Sequence, residues 1–373
     1  MFLILYLTKQ GYSPAQAGGA VGAYGIGSLA AAAIGGSLTD RLGRKVTIAI
    51  SMFGSAVMML LLSQMSGLTE IVITVAFAGL AAELYRPASS ALVADLVPDG
   101  QRVIAFAAYR LAINAGFAFG PALAGFLATH SFFYLFVGDA VSSAAFGVIA
   151  LTSLPHGLRT RGKRSAEDEG IGTVFRDRSF MVFCLATLTI SFVYFQGETT
   201  LALHVKAVGL SAANYGALLS INGLVIVCLE LALSGFTQKR RARPVMTVGA
   251  LLVGAGFMLT IAADSFLPLA ATVFVWTIGE IINAPVSQAY VADLAPAKLR
   301  GRYLGVWGLS FSVAFIAAPT AGSWIYSRSP NTLWVLCGAL SVVAAALIML
   351  GPERKITPVF GVEPGPEIAG VET

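Results

Sequence analysis

Residues Glu83–Arg102, ELYRPASSALVADLVPDGQR, and Glu280–Arg300, EIINAPVSQAYVADLAPAKLR, are two versions of one passage. A constant shift of 198 positions lays Pro87 on Pro285, Val93-Ala94-Asp95-Leu96 on Val291-Ala292-Asp293-Leu294, and Pro98, Arg102 and Pro121 on Pro296, Arg300 and Pro319. The same shift carries Gly11, Ser13 and Gly18 onto Gly209, Ser211 and Gly216, so one gapless offset serves both ends of a long unit. The chain is two copies of that unit in tandem.

Composition says what the unit is made of. Apolar residues fill 57% of the 373 positions and charged residues 12%, against about 25% charge in a soluble domain. Glycine, 40 residues, is scattered through the apolar stretches, which suits close helix contacts in lipid. A bilayer core about 30 Å thick is crossed by roughly 20 apolar helical residues. Eleven such runs occur, at 13–37, 45–64, 69–96, 103–128, 131–154, 179–203, 213–236, 245–264, 267–294, 303–327 and 331–350, after a stub at 1–8. One repeat holds six spans, an even number, so both copies cross the bilayer in the same sense. The predicted fold is an all-α membrane protein of two pseudo-symmetric six-helix bundles with about 11 complete transmembrane helices. Shifting the start of the seventh helix, near Ser179, back by one repeat lands roughly 20 residues before Met1, so the first helix is expected to be truncated. The opening MFLILYL has neither the basic region nor the cleavage site of a signal peptide.

The net charge of +5 and a pI of about 9.2 do not point to nucleic acid, because the basic residues sit in short loops between apolar runs. Of the 24 basic residues, 19 lie in the alternate loops that begin at Arg41 and in the tail, while the opposite side holds Lys9, Lys206 and Arg328. The positive-inside rule places the richer side, and the C-terminus, in the cytoplasm. The expected division is an N-terminal transmembrane bundle at 1–155, a cytoplasmic linker at 156–178, a C-terminal transmembrane bundle at 179–350 and a disordered cytoplasmic tail at 351–373. Cys184, Cys228 and Cys337 fall inside apolar spans at wide spacing, which indicates packing rather than disulfides or metal ligation. The loops contain no nucleophile–base constellation, phosphate loop or metal spacing, so an enzyme, a cofactor and a metal are not expected.

Between the first two complete spans stands Gly35-Gly36-Ser37-Leu38-Thr39-Asp40-Arg41-Leu42-Gly43-Arg44-Lys45. In it Gly36 permits close helix approach, Gly43 permits a tight turn, Asp40 can meet the positive end of a helix dipole, and the basic residues can pair with Asp95. The stretch resembles, over its full length, the cytoplasmic signature of the major facilitator superfamily, and the span pattern and repeat extend that resemblance over nearly the whole chain. The resemblance implies a conformational gate in which Asp40 docks near Arg302 when the outward-facing state forms. The alternative is that these charges only set topology. The second copy, SGFTQKRRARP, lacks the aspartate.

In the fifth family helix, Asn114-Ala115-Gly116-Phe117-Ala118-Phe119-Gly120-Pro121-Ala122-Leu123-Ala124-Gly125 resembles the antiporter signature of the drug:proton branch. Glycines at four-residue spacing followed by Pro121 make a smooth, kinked face on which two halves can slide and seal. The alternative is a glycine-rich packing face with no bearing on transport direction.

Ionisable side chains within lipid cost about 2.5–3.5 kcal/mol each on insertion scales. Glu83, Arg86, Arg110, Glu230 and Glu280 lie within spans, and Glu280 is nearly the repeat equivalent of Glu83. Burial makes a carboxyl hold its proton and a nearby cation makes it release one, so a Glu beside an Arg can exchange protons as access alternates. Glu83, Arg86, Glu280 and Glu230 are therefore the expected coupling residues, with a fixed structural ion pair as the alternative for Glu83 and Arg86. The branch carries a mid-membrane Arg followed by Gln and Gly, whereas Arg86 is followed by Pro87-Ala88-Ser89-Ser90. Asp139 and Glu198 rank lower. His130, His156 and His204 lie at span ends, where an interfacial role is expected. Tyr24, Tyr109, Asn114, Gln196, Asn222, Trp276 and Asn283 are the expected substrate contacts in helices that the family uses to line its cavity, with helix–helix hydrogen bonding as the alternative for each. Trp324 and Trp334 read as anchors at the outer interface.

The resemblance implies a secondary transporter working by alternating access, here proton-coupled efflux of small lipophilic or amphipathic compounds. A nutrient or metabolite importer or facilitator uses the same fold, and a non-transporting sensor or scaffold is the alternative of another class. The expected partners are a small-molecule substrate, protons and the lipid bilayer, with no nucleic acid, and the expected state is a monomer spanning the inner (plasma) membrane many times.

Overall fold

A computed structural model describes residues 1–98, 102–155, 172–237, 240–296 and 299–351. The chain runs α1 (Leu3–Lys9), α2 (Pro14–Leu42), α3 (Arg44–Leu62), α4 (Leu68–Glu83), α5 (Tyr85–Leu96), α6 (Arg102–His130) and α7 (Phe132–Ser153). It continues through α8 (Gly172–Arg176), α9 (Arg178–Tyr194), α10 (Thr200–Ala207), α11 (Ala212–Thr237), α12 (Ala242–Leu259), α13 (Phe266–Leu294), α14 (Arg300–Arg328) and α15 (Pro330–Leu350). The residues expected to form the tail from 352 onward, and 156–171 of the expected linker, lie outside the described residues.

The repeat reappears as geometry. Helices α6 and α14 are both 29 residues long and contain Pro121 and Pro319 at equivalent positions. Gly11 and Gly209 both take positive φ, 93° and 79°, the conformation that glycine adopts without a Cβ clash. Two residues on, Ser13 and Ser211 each accept a backbone N–H three positions ahead, from Gln16 and Asn214, and so cap α2 and α11. Helix α1 thereby matches α10, and the Nζ of Lys206 donates to the hydroxyl of its own repeat equivalent, Thr8, at 3.1 Å.

Among the described residues, ten helices are long and apolar enough to cross a membrane, counting α4 and α5 together. Two expected spans differ from continuous helices. The run 69–96 breaks at Leu84, because Pro87 offers no N–H to the carbonyl of Glu83 and its ring crowds that carbonyl. The run 179–203 breaks between Tyr194 and Thr200, where Gln196 and Thr199 turn their side chains back onto the carbonyls of Phe192 and Phe195. Gly197 occupies the middle of this break, and its backbone N–H reaches only to Tyr194.

Helix α2 packs on α4 and α3 on α7 in the first bundle, while α12 packs on α13 and α15 in the second. The bundles meet along two seams, α2 with α14 and α6 with α11. Two sequence expectations give way inside the second bundle. Trp334 is not an interfacial anchor: it is fully buried, stacked with Phe257 and edge-on to His204 and Tyr326. His204 is likewise buried rather than interfacial, with Nε2 at 3.0 Å from the carbonyl of Ala263 and Nδ1 at 3.3 Å from the Tyr326 hydroxyl. Cys184 and Cys337 are buried and Cys228 is exposed, all as free thiols.

Candidate functional site

The two seams are built alike. At Gly18 and Gly216 an added Cβ would run into the carbonyl oxygens of Pro319 and Pro121, a pair of contacts related by the repeat. Two turns further on, Gly25 lies against Phe315 and Ile316 of α14, and its equivalent Gly223 lies against Phe117 and Ala118 of α6. Pro121 supplies no N–H of its own, and the neighbouring Ala122 N–H is taken by Ser220 of α11 at 3.0 Å. These contacts lie toward the membrane face of Gly11 and Gly209. Toward the other face, a Cβ added at Gly36, Gly235, Gly305 or Gly308 would meet nothing within 4 Å. The bundles are thus in close contact on the Gly11 side.

At the Asp40 side the signature stretch forms a compact ionic joint. Gly43, at φ 92°, makes the turn between α2 and α3. The turn delivers Arg44, which is 5% exposed, to Asp95 at the end of α5, with Nε 2.9 Å from Oδ2. Arg44 also lies 3.5 Å from Asp40, whose side chain is 54% exposed. Arg41 is exposed and Lys45 half-buried. The close helix approach expected of Gly36 belongs to its neighbour: Gly35 packs on the Pro87 ring, while Gly36 faces open space.

The antiporter-like residues divide between two surroundings. Pro121 and Gly125 form the seam with α11, Gly125 meeting Ala212, Ala213 and Gly216. Gly116 and Gly120 instead line, with Pro121, Phe2 and Tyr85, an apolar cleft of about 390 Å³.

Between the bundles the carboxylates are held by donors. Glu83, the last residue of α4, accepts the Tyr24 hydroxyl at 3.2 Å and pairs with Arg86 across the break at Leu84. Glu280 of α13 accepts the Tyr194 hydroxyl at 3.0 Å and the Asn222 amide at 2.9 Å, and that amide also reaches Thr277 at 3.0 Å. The two carboxylates are joined by a file of rings. Tyr24 lies 5.9 Å from Phe315, Phe315 stands edge-on to Phe195 at 4.9 Å, and Phe195 lies 5.5 Å from Tyr194. Trp276 packs edge-on to Tyr194 at 5.9 Å. A third carboxylate, Glu230 of α11, accepts the Asn114 amide across the α6–α11 seam at 3.2 Å.

Tyr24, Glu83, Arg86, Asn222, Glu280 and Trp276 therefore come together around this file. Asn114 and Glu230 form their own pair, and Tyr109 is half-buried on α6. Gln196 and Asn283 point elsewhere. Gln196 is fully buried, reaching the Phe192 and Ala318 carbonyls and accepting from Thr200. Asn283 donates to the Met246 carbonyl of α12 at 3.0 Å. Asp139 is exposed on α7, and Glu198 lies half-buried in the α9–α10 break. Sequence reasoning missed Tyr194, Phe195, Thr277 and Phe315. The signal available for the first two was the aromatic run Tyr194-Phe195 beside Gln196-Gly197 in an otherwise aliphatic span.

Comparison with known proteins follows the same lines. The sequence profile of the Major Facilitator Superfamily matches residues 1–241 and again 198–367. A Na(+), Li(+), K(+)/H(+) antiporter of Planococcus maritimus is 24% identical over 384 residues, covering 94% of this chain and 88% of that protein. The multidrug resistance protein MdtH of Klebsiella pneumoniae is 24% identical over 346 residues, covering 91% and 86%. Among solved structures, the peptide transporter POT superposes with a TM-score of 0.77 at 18% identity, covering 94% of this chain and 89% of that one.

Proposed function

The chain belongs to the Major Facilitator Superfamily, and on that premise we propose that it is a proton-coupled antiporter that exports small lipophilic or amphipathic organic compounds. As a member it is a multi-pass membrane transporter of small molecules. The observation that carries the finer reading is the paired arrangement of Glu83 and Glu280, one in each bundle, each receiving a tyrosine hydroxyl and linked by aromatic rings.

The rings offer apolar and π surface to a lipophilic molecule, and few fixed charges compete for it. The carboxylates supply the exchangeable protons. Tyr194 and Asn222 donate to Glu280, and Arg86 pairs with Glu83. A proton arriving on either carboxylate removes an acceptor and loosens the contact between that bundle and its tyrosine. Compound and proton thus compete for one charge, the requirement for exchange in opposite directions. Entry of compound from the side bearing the basic loops, the cytoplasm, fits the positive-inside assignment. The gate at Arg44, Asp40 and Asp95 lies at that mouth, and the similarity to a cation/H(+) antiporter and to a multidrug resistance protein favours the same reading.

The test is reconstitution into liposomes holding a pH-sensitive dye. Uptake of a lipophilic dye driven by an imposed pH gradient is expected to move protons the opposite way, and Glu83→Gln and Glu280→Gln are expected to abolish that movement. Proton flow in the same direction as the compound would establish symport instead. Uptake without proton movement, unchanged in Glu83→Gln, would remove the antiport reading.

A further inference from the structure

We propose that the lipid-facing groove between α2 and α14, on the Gly11 side, is a binding site for one anionic phospholipid. The groove holds about 440 Å³ and is lined by Ala15 of α2 and by Ile316, Ala317, Thr320, Ala321 and Trp324 of α14. Its walls are apolar apart from the Thr320 hydroxyl, which itself donates to the Ile316 carbonyl, and so they suit an acyl chain. Small residues on α2 allow the two helices to approach: Gly18 and Gly22 touch Pro319 and Thr320 directly, while Gly19 has nothing within 4 Å.

The end of the groove carries charge of one sign. Trp324 is 50% exposed, and the Arg328 guanidinium lies over its ring, 3.7 Å from the centroid. Arg328 donates from Nη1 to the Trp324 carbonyl at 3.3 Å, which fixes the guanidinium one turn above the apolar walls. Among the described residues no carboxylate lies within ion-pair distance of Arg328. A cation held at the helix end, above an apolar channel and beside an interfacial tryptophan, matches a phosphate headgroup with its chain below.

The groove, lined by α14 with Ala15 of α2, lies beside the Gly18–Pro319 contact between the bundles. A lipid seated there favours that contact, and the contact favours the lipid. The site is distinct from the Glu83–Glu280 file, and it stands whatever compound the chain carries.

The test uses the full chain in phosphatidylcholine nanodiscs with increasing phosphatidylglycerol bearing brominated acyl chains. With Trp276, Trp307 and Trp334 changed to Phe, Trp324 is the sole tryptophan and reports bromine contact. Brominated phosphatidylglycerol is expected to quench at about fivefold lower mole fraction than brominated phosphatidylcholine. Arg328→Gln is expected to erase that preference, and Ala321→Phe to erase it by filling the groove. Should the three-Phe chain not fold, phosphatidylglycerol retained by the unmodified chain and by Arg328→Gln is compared by native mass spectrometry. Equal quenching by the two lipids, or a preference that survives Arg328→Gln, overturns the proposal. So does full competition by soluble glycerol phosphate, which would make Arg328 a simple anion site.

Discussion

Tyr194 donates its hydroxyl to Oε1 of Glu280 across 3.0 Å, from the helix break of one span to the middle of another. The bond makes the tyrosine a sensor of the carboxylate's charge, since an ionised Glu280 accepts and a protonated one competes as a donor. Losing a hydrogen bond to a charged acceptor costs about 1.5–3 kcal/mol. Tyr194→Phe is therefore expected to lower proton-driven transport by roughly tenfold to a hundredfold. Glu280→Gln is expected to lower it to the level of empty liposomes while exchange of labelled for unlabelled compound continues. Flux assays with and without a pH gradient separate the two effects, and an unchanged gradient-driven rate in Glu280→Gln would rule out this carboxylate.

The joint at Arg44 gives an ordered pair of stability effects. Arg44 is 5% exposed, so removing Asp95 leaves a buried cation without its nearest counter-charge. Breaking such a pair from one side costs about 3–5 kcal/mol. Asp40 is largely exposed at 3.5 Å, where solvent screening reduces an ion pair to about 1 kcal/mol or less. Thermal unfolding in detergent is expected to show Asp95→Asn far below the parent and Asp40→Asn close to it. Equal losses would mean that Arg44 depends on both carboxylates alike.

The glycine contacts at the seams predict a conformational shift rather than a loss of fold. Gly216→Leu places a side chain against the Pro121 carbonyl, where backbone cannot yield, so the Gly11 side is expected to part. Ser323 is fully buried in the other seam, beside Gly18. In a background with Cys228→Ser, a Ser323→Cys thiol is expected to react with an impermeant maleimide much faster once Gly216→Leu is added, because the bundles move as bodies. Gly120→Ala, in open space, is expected to change nothing. A slow thiol in the Gly216→Leu chain would show that the two seams open independently.

Much of this architecture was legible because it repeats. The offset that pairs Pro87 with Pro285 also pairs Gly11 with Gly209 and Gly18 with Gly216, and the structure gives each of the latter pairs the same role in turn or seam. Charge placement was legible too, since a carboxylate such as Glu83 or Glu280 in an apolar run needs a donor nearby. What the sequence withheld was direction. A helical residue's identity does not say which neighbour it faces, so Gly35 and Gly36, adjacent in the chain, exchanged roles. The same ambiguity hid the burial of Trp334 and His204, which look interfacial by position and are enclosed by Phe257 and Tyr326.

Gln196 and Tyr24 make contacts of different kinds, and the difference separates a residue that ties the fold from one placed by the proposed function against the compound. Gln196 is fully buried, and its amide ties the α9–α10 break to the Ala318 carbonyl of α14 and to Thr200. Gln196→Leu strands these groups, at about 1–3 kcal/mol for each one left unpaired, and crowds the space beside Gly322. A lower unfolding midpoint is expected, with the range of transported compounds unchanged in whatever folds. Tyr24→Phe keeps the ring against Phe315 and removes only the hydroxyl from Glu83, a net change of about 0.5–1.5 kcal/mol for a typical hydrogen bond. Its midpoint is expected to move little, while its competition profile across a panel of lipophilic cations and neutral amphiphiles changes. Unfolding midpoints measured beside competition profiles decide the matter: an altered profile at an unchanged midpoint in Gln196→Leu would put Gln196, and not Tyr24, in contact with the compound.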